Sequence, residues 1–168
     1  MSFSQPTWIA LGGNIGDVAD YFRQTREHLQ QHPACSCVQS ALLYQTPPIG
    51  PEGQDDYMNT MLFMQTTLAP IALLDLLQSI ELQHGRVRQV HWGARTLDLD
   101  IIAYGDVIMQ HERLTLPHSY MHQRQFVLRP MCDLSPTWMH PIQQHTAKQL
   151  LSQRIKHGEQ ALPQGINW

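Results

Sequence analysis

Lysine is nearly missing from this chain. There are two, Lys148 and Lys156, against nine arginines in 168 residues. Five of the nine (Arg86, Arg88, Arg95, Arg113 and Arg124) fall between positions 86 and 124. The formal net charge is nevertheless −3 and the pI about 6.3, which argues against a general binder of nucleic acid or of an acidic membrane surface. Arginine concentrated inside an acidic protein points instead to a bounded anionic ligand, because the planar guanidinium fork matches phosphate oxygens in pairs. Cysteine is scarce as well. Cys35, Cys37 and Cys132 form no CxxC pair, and their odd number does not make a disulfide framework, so free thiols in the cytosol are expected. Cys35 and Cys37 are expected to share one face of a strand.

Other absences narrow the field further. No charged-then-apolar leader pattern opens the chain, and no apolar run reaches the length of a membrane span. The ten histidines include no HExxH signature and read for the most part as surface residues. The glycine-rich stretch LGGNIGD (11–17) is neither GxGxxG nor a P-loop. It reads more simply as a strand-to-helix turn made by Gly12, Gly13 and Gly16. No repeat, linker or low-complexity segment interrupts the chain, so residues 1–168 are expected to form one domain.

The patterns that are present give an element order. Residues 7–11 form an apolar strand, followed by a helix capped by Asp17 with Val18, Phe22, Thr25 and Leu29 on one face. A second strand covers 35–45, a turn-rich loop 46–56, and a third strand 57–66. Pro70 opens a helix that Gly85 stops, with Leu73, Leu76, Leu77 and Ile80 as its apolar stripe. A strand over 96–103, an extended segment over 107–116, and helices over 120–129 and 146–156 complete the chain. The order β-α-β-β-α-β with additions is that of an α+β, ferredoxin-like antiparallel sheet packed with helices and extended by extra C-terminal elements.

Chemistry concentrates in RVRQVHWGARTLDLD, residues 86–100. On a strand Asp98 and Asp100 face one way, and Leu97, Leu99 and Ile101 the other. Two carboxylates on one face suit Mg²⁺, which is held by one or two carboxylates together with substrate phosphates. An edge strand blunted by charge would look the same. The same alternation pairs Tyr57 with Asn59, and Arg113 with Thr115, so three segments each offer polar residues on one face, and if those faces coincide the sheet carries a site.

With these residues together, the chain resembles the 6-hydroxymethyl-7,8-dihydropterin pyrophosphokinases of the folate pathway. The likeness runs through LGGNIGD (11–17), YQTPPIGPEGQDDYMN (44–59), ELQHGRVR (81–88), WGARTLDLDI (92–101), RLTLPH (113–118) and RQF (124–126). It implies a ferredoxin-like fold and transfer of pyrophosphate from ATP to the pterin hydroxymethyl group, giving AMP and the pterin diphosphate. ATP would be the co-substrate, and Asp98 and Asp100 would hold two Mg²⁺ ions, with Arg86 and Arg95 as their catalytic companions. Around ATP the resemblance implies Gln78, Glu81, Arg86, Arg88, Trp92, Arg95, Ile101, Arg113, Thr115, His118 and Arg124. Around the pterin it implies Thr46, Pro47, Ile49, Tyr57, Asn59, Asp98 and Phe126, with the Tyr57 and Phe126 rings flanking the ligand. The partners would be these two small molecules, with neither nucleic acid nor membrane, in a cytoplasmic monomer. Ala94 stands where the family usually has proline, and Ser119 where an aromatic residue commonly follows the histidine.

Two other classes fit parts of the pattern. A Mg²⁺-dependent nucleotide pyrophosphohydrolase would use the aspartates and arginines but leaves the TPPIG loop, Tyr57 and Asn59 without a role. A non-catalytic ferredoxin-like RNA binder or nucleotide sensor meets the acidic pI and the missing RNP aromatics in the first case, and the intact carboxylate pair in the second.

Overall fold

A computed structural model describes residues 3–47, 52–85 and 96–168. Strand β1 (Gln5–Gly13) leads into helix α1 (Val18–Gln31), then β2 (Cys35–Ser40), β3 (Tyr44–Thr46) and β4 (Tyr57–Thr66). Helix α2 (Pro70–Gln83) connects to β5 (Asp98–Tyr104). A small hairpin of β6 (Met109–His111) and β7 (Leu114–Leu116) follows, then a 3₁₀ turn (Met121–Gln123), α3 (Gln125–Leu134) and α4 (Ala147–Lys156). The main sheet runs β2-β4-β1-β5, with β3 also paired to β4, and its pairings are antiparallel. This is the expected ferredoxin-like order, with β1 and β4 central and β5 at an edge.

Local chemistry explains most element ends. Asp17 caps α1 by accepting from the Asp20 amide, and Val18, Phe22, Thr25 and Leu29 are its buried face. Pro70 starts α2 where its missing N–H costs nothing. Thr146 and Gln149 form a reciprocal capping box on α4. Strand alternation then sorts the apolar residues to two sides. Ile9, Leu11, Leu62, Met64, Leu99 and Ile101 pack with α1 and α2, while Trp8, Met61 and Ile102 pack with α3 and α4. The sheet is therefore covered on both faces, and polar residues within it need a specific reason to be there. Among the described residues no helix is long and apolar enough to cross a membrane.

Several sequence expectations are corrected. Gly12 and Gly13 belong to β1 and not to the turn, which is left to Asn14–Asp17. The strand expected over 35–45 breaks at Ala41–Leu42. Its first part carries a bulge where Cys37 takes φ +54, so Cys35 is buried while Cys37 is exposed and the two do not share a face. Residues 107–116 fold back on themselves as a hairpin, because Glu112 and Arg113 turn the chain without glycine or proline. The helix expected over 120–129 is a 3₁₀ turn followed by α3, which runs on to Leu134. Leu74 is buried in α2, whereas Leu76 is only partly so. The histidines are less superficial than expected. His140 is 3% exposed, and His28, His32, His84, His118 and His122 are half-buried.

Candidate active site

The carboxylate pair sits on the edge strand. Asp98 and Asp100 are half-buried on the face of β5 turned toward α3, and Leu99 and Ile101 are buried in the opposite core. Among the described residues no cluster of three His, Cys, Asp or Glu side chains gathers to cage a metal. Two carboxylates on one strand face suit a hard cation that fills its shell with water and phosphate oxygens.

Beside β5 lies a cavity of about 330 Å³. Gln78 and Glu81 of α2, Asp100 and Ile101 of β5, Arg113 and Thr115 of the hairpin, and His118 beyond it all line this one space. Seven residues singled out from the sequence thus meet there. The hairpin fold brings this about: β7 returns toward β5, so Thr115 and Arg113 reach the cavity from the side opposite α2.

Several polar groups of the cavity have partners. Glu81 is only 3% exposed, and its Oε2 accepts the Leu99 backbone N–H at 3.2 Å. A buried carboxylate bonded in this way ties α2 to β5 and helps fix the strand segment that bears both aspartates. Arg113 Nη2 donates to Asp75 Oδ1 at 2.6 Å and to Gln78 Oε1 at 3.1 Å on the exposed rim. The His118 amide bonds the Ile102 carbonyl at 2.9 Å, and its Nδ1 accepts from the Tyr120 amide at 3.4 Å. Burial lowers the His118 pKa, Arg124 lowers it further, and Asp98 pulls the other way. A neutral ring that accepts at Nδ1 keeps its proton on Nε2. Arg124 does not line the cavity; its guanidinium lies 5.3 Å from the Tyr120 ring centre and 5.7 Å from that of Phe126.

A second polar area lies across the sheet face. The register places Asp98 opposite Gly12, Gly12 opposite Asn59, and Asn59 opposite Tyr44. Directly opposed residues of antiparallel strands present side chains to the same face. Asn59 Nδ2 donates to Thr46 Oγ1 at 3.1 Å, and Thr46 stands opposite Tyr57. Gly12 contributes no side chain, and Asn59 lies close over it. A Cβ there would come within 3.1 Å of Asn59 Oδ1. Phe126, in the first turn of α3, packs on the same side of the sheet, and Pro47 is exposed at its margin. Gly12 is the residue that sequence reasoning missed. Its signal was available only in register, as the glycine opposite a polar residue on each neighbouring strand. Ile49, Arg86, Arg88, Trp92 and Arg95 fall outside the described residues.

Comparison with known proteins follows the same lines. Residues 8–136 match the family model for 7,8-dihydro-6-hydroxymethylpterin-pyrophosphokinase (HPPK). The chain is 42% identical over 128 residues to the 2-amino-4-hydroxy-6-hydroxymethyldihydropteridine pyrophosphokinase of Haemophilus influenzae, covering 76% of this chain and 80% of that protein. With the enzyme of the same name from Pseudomonas aeruginosa it shares 39% identity over 141 residues, 84% of this chain and 87% of that one. Among solved structures, wild-type Plasmodium falciparum HPPK-DHPS with pteroate superposes with a TM-score of 0.71 over 92% of this chain. This chain spans 43% of that one, and at 13% identity the likeness speaks for the fold alone.

Proposed function

Because the chain belongs to the 7,8-dihydro-6-hydroxymethylpterin-pyrophosphokinase family, we propose a division of labour among its residues. The protein is an ATP-dependent diphosphotransferase of folate biosynthesis, moving pyrophosphate from ATP to the hydroxymethyl group of 6-hydroxymethyl-7,8-dihydropterin. In our reading the cavity beside β5 takes ATP, and the shelf formed by Gly12, Thr46, Tyr57, Asn59 and Phe126 takes the pterin. The observation that carries it is the place of Asp98 and Asp100. One strand bears both, Asp100 lining the cavity and Asp98 standing at the edge of the shelf.

Asp98 and Asp100 are the residues to hold Mg²⁺, two ions by the family likeness; when bound, the metal neutralises phosphate charge and aligns the reacting oxygens. The remaining work falls to the protein. Asn59, fixed by Thr46, reads the polar edge of the pterin while the rings of Tyr57 and Phe126 hold its faces. Gln78, Arg113, Thr115 and His118 grip the nucleotide, with neutral His118 donating from Nε2. The hydroxymethyl oxygen attacks the β-phosphorus, the bond from that phosphorus to the α-phosphate oxygen breaks, and AMP leaves. Arg86 and Arg95 meet the charge that develops on AMP. The protein acts as a cytoplasmic monomer, with residues 1–168 forming one domain.

Product analysis tests this reading. The protein is mixed with ATP, Mg²⁺ and the pterin, beside a control without pterin. AMP formed in step with pterin diphosphate, and only when pterin is present, is the expected outcome. AMP released without pterin would instead mark a nucleotide hydrolase.

A further inference from the structure

Residues 137–168 lie beyond the stretch that matches the family model, and the end of this segment packs against residues 41–44. Leu43 and Ile166 exchange both backbone hydrogen bonds, at 2.8 and 2.9 Å. Trp168 Nε1 donates to the Ala41 carbonyl at 2.8 Å. Its indole is clamped, with Phe22 edge-on at 6.0 Å and the Arg26 guanidinium 4.3 Å from the ring centre. The tail therefore completes the outer side of residues 41–44, where β2 breaks off and the three-residue β3 begins.

Gly165 sits against Tyr44. A Cβ at this position would lie 2.7 Å from Leu42 Cβ and 2.8 Å from Tyr44 Cζ, closer than real Cβ contacts allow. Tyr44 is fully buried and cannot easily give way. Its hydroxyl donates to Asp133 Oδ2 at 2.7 Å, and the same oxygen accepts the Leu42 amide at 3.2 Å. Arg129 pairs with Asp133 at 2.9 Å, and its guanidinium lies 5.4 Å from the Tyr44 ring centre. Tyr44 is thus held between α3 and the tail. On its third side stands Asn59, its direct cross-strand neighbour.

We propose that Gly165 and Trp168 form a clasp that positions Asn59 through Tyr44, so that the C-terminal tail sets affinity for the pterin and not for ATP. The proposal rests on the assignment of Asn59 to the pterin shelf. The tail touches residues 41–44 at the far side of the sheet from β5, so its influence should reach the shelf and stop short of the nucleotide cavity. Gly165 and Trp168 are positioning residues, since neither faces substrate.

The test is a split in Michaelis constants, measured on the full chain well below its melting temperature. Gly165→Ala should raise KM for the pterin about tenfold, as small misplacements of positioning groups do, and leave KM for ATP within about twofold. Trp168→Phe keeps an aromatic ring between Phe22 and Arg26, though a smaller one, and loses the bond to Ala41, and should shift pterin KM in the same direction by less. It decides the matter if Gly165→Ala does not fold. On an Asn59→Ala background, Gly165→Ala should add little further loss, because both act through the same side chain. Unchanged pterin KM in a folded variant, equal loss for both substrates, or full additivity with Asn59→Ala would each overturn the clasp. If Asn59→Ala itself binds pterin normally, the shelf assignment fails and the clasp with it. Normal loss in Asn59→Ala with no effect of the tail variants condemns the clasp alone.

Discussion

The cavity and the shelf lean on β5 in different ways. The cavity lies beside the edge strand and is walled by separate elements, α2 on one side and the β6–β7 hairpin on the other. Its polar groups are bonded to one another, Arg113 to Asp75 and Gln78, and Glu81 to the Leu99 amide. The shelf is made of cross-strand neighbours inside one sheet, and its defining feature is a missing side chain at Gly12. On the proposed assignment, binding in the cavity exchanges internal polar partners for phosphate oxygens. On the shelf, in the proposed assignment, a flat ring lies across Gly12, where β1 carries no side chain. The first exchange is electrostatic and salt-sensitive, and the second is a matter of shape. The aspartate pair links them, Asp100 at the cavity and Asp98 at the shelf.

That shared position makes the aspartates the most direct way to break the comparison. Asp98→Ala or Asp100→Ala should lower turnover by at least about 10²–10³-fold, the scale seen when one transition-state electrostatic partner is removed. Both side chains are half-buried on a strand whose apolar face is untouched, so far-UV circular dichroism should be unchanged. Near-normal turnover in either variant would mean that the two halves do not meet at β5.

Acid also has a point of attack outside both halves. His140 is buried beneath the C-terminal layer, and its Nδ1 accepts the amides of Ile142 and Gln143, both at 3.1 Å. Burial, and His122 beside it, push its pKa down to about 4 from 6.5. The unfolded chain therefore takes up this proton before the folded one does. The contribution to stability is complete above pH 6.5 and is lost as pH falls toward 4. In magnitude it is about 3 kcal/mol, from the linkage between pKa and folding. Urea unfolding at a series of pH values should show this slope, and His140→Gln should flatten it. An identical slope in the variant would place the acid sensitivity elsewhere, with half-buried His118 of the cavity the next residue to examine.

These differences also set what could be read from the sequence. The face of α1 and the shared side of Asp98 and Asp100 follow from periods of 3.6 and 2, and both were legible. Tyr57 and Asn59 were legible for the same reason. Gly12 was not, because its meaning lies in register with two other strands, and a glycine after an apolar run looks like a turn. The hairpin at Glu112–Arg113 was hidden because it carries no turn-forming residue. The burial of His140 and the contact of Gly165 with Tyr44 are tertiary facts, joining residues up to 121 positions apart with no local pattern to announce them.

Gly12 offers the sharpest test of the shelf. In Gly12→Ala the new methyl would stand 3.1 Å from Asn59 Oδ1, so the amide must shift by a few tenths of an ångström. Pterin KM should rise about tenfold, comparable to other small displacements of positioning groups, while ATP KM stays within about twofold. A rise in ATP KM of the same size would mean that the nucleotide also lies across β1, and the division into cavity and shelf would have to be redrawn.

The smallest effect expected is at the rim of the cavity, and it tests whether internal partners compete with phosphate. Asp75 and Arg113 form an ion pair whose side chains are 60% and 40% exposed, so its worth to the fold is about 0–1 kcal/mol. Asp75→Asn should barely move the melting temperature. In the wild-type chain the Asp75 carboxylate holds the guanidinium proposed to meet the nucleotide, and its negative charge would repel phosphate. Replacing it with the neutral amide should tighten ATP about twofold at low salt, with the gain fading as ionic strength rises. The opposite result is equally instructive. If ATP binds more weakly, Asp75 serves to aim Arg113, its contact being kept when phosphate arrives through another donor of the same fork. The cavity would then resemble the shelf, with both halves organised by shape before either substrate enters.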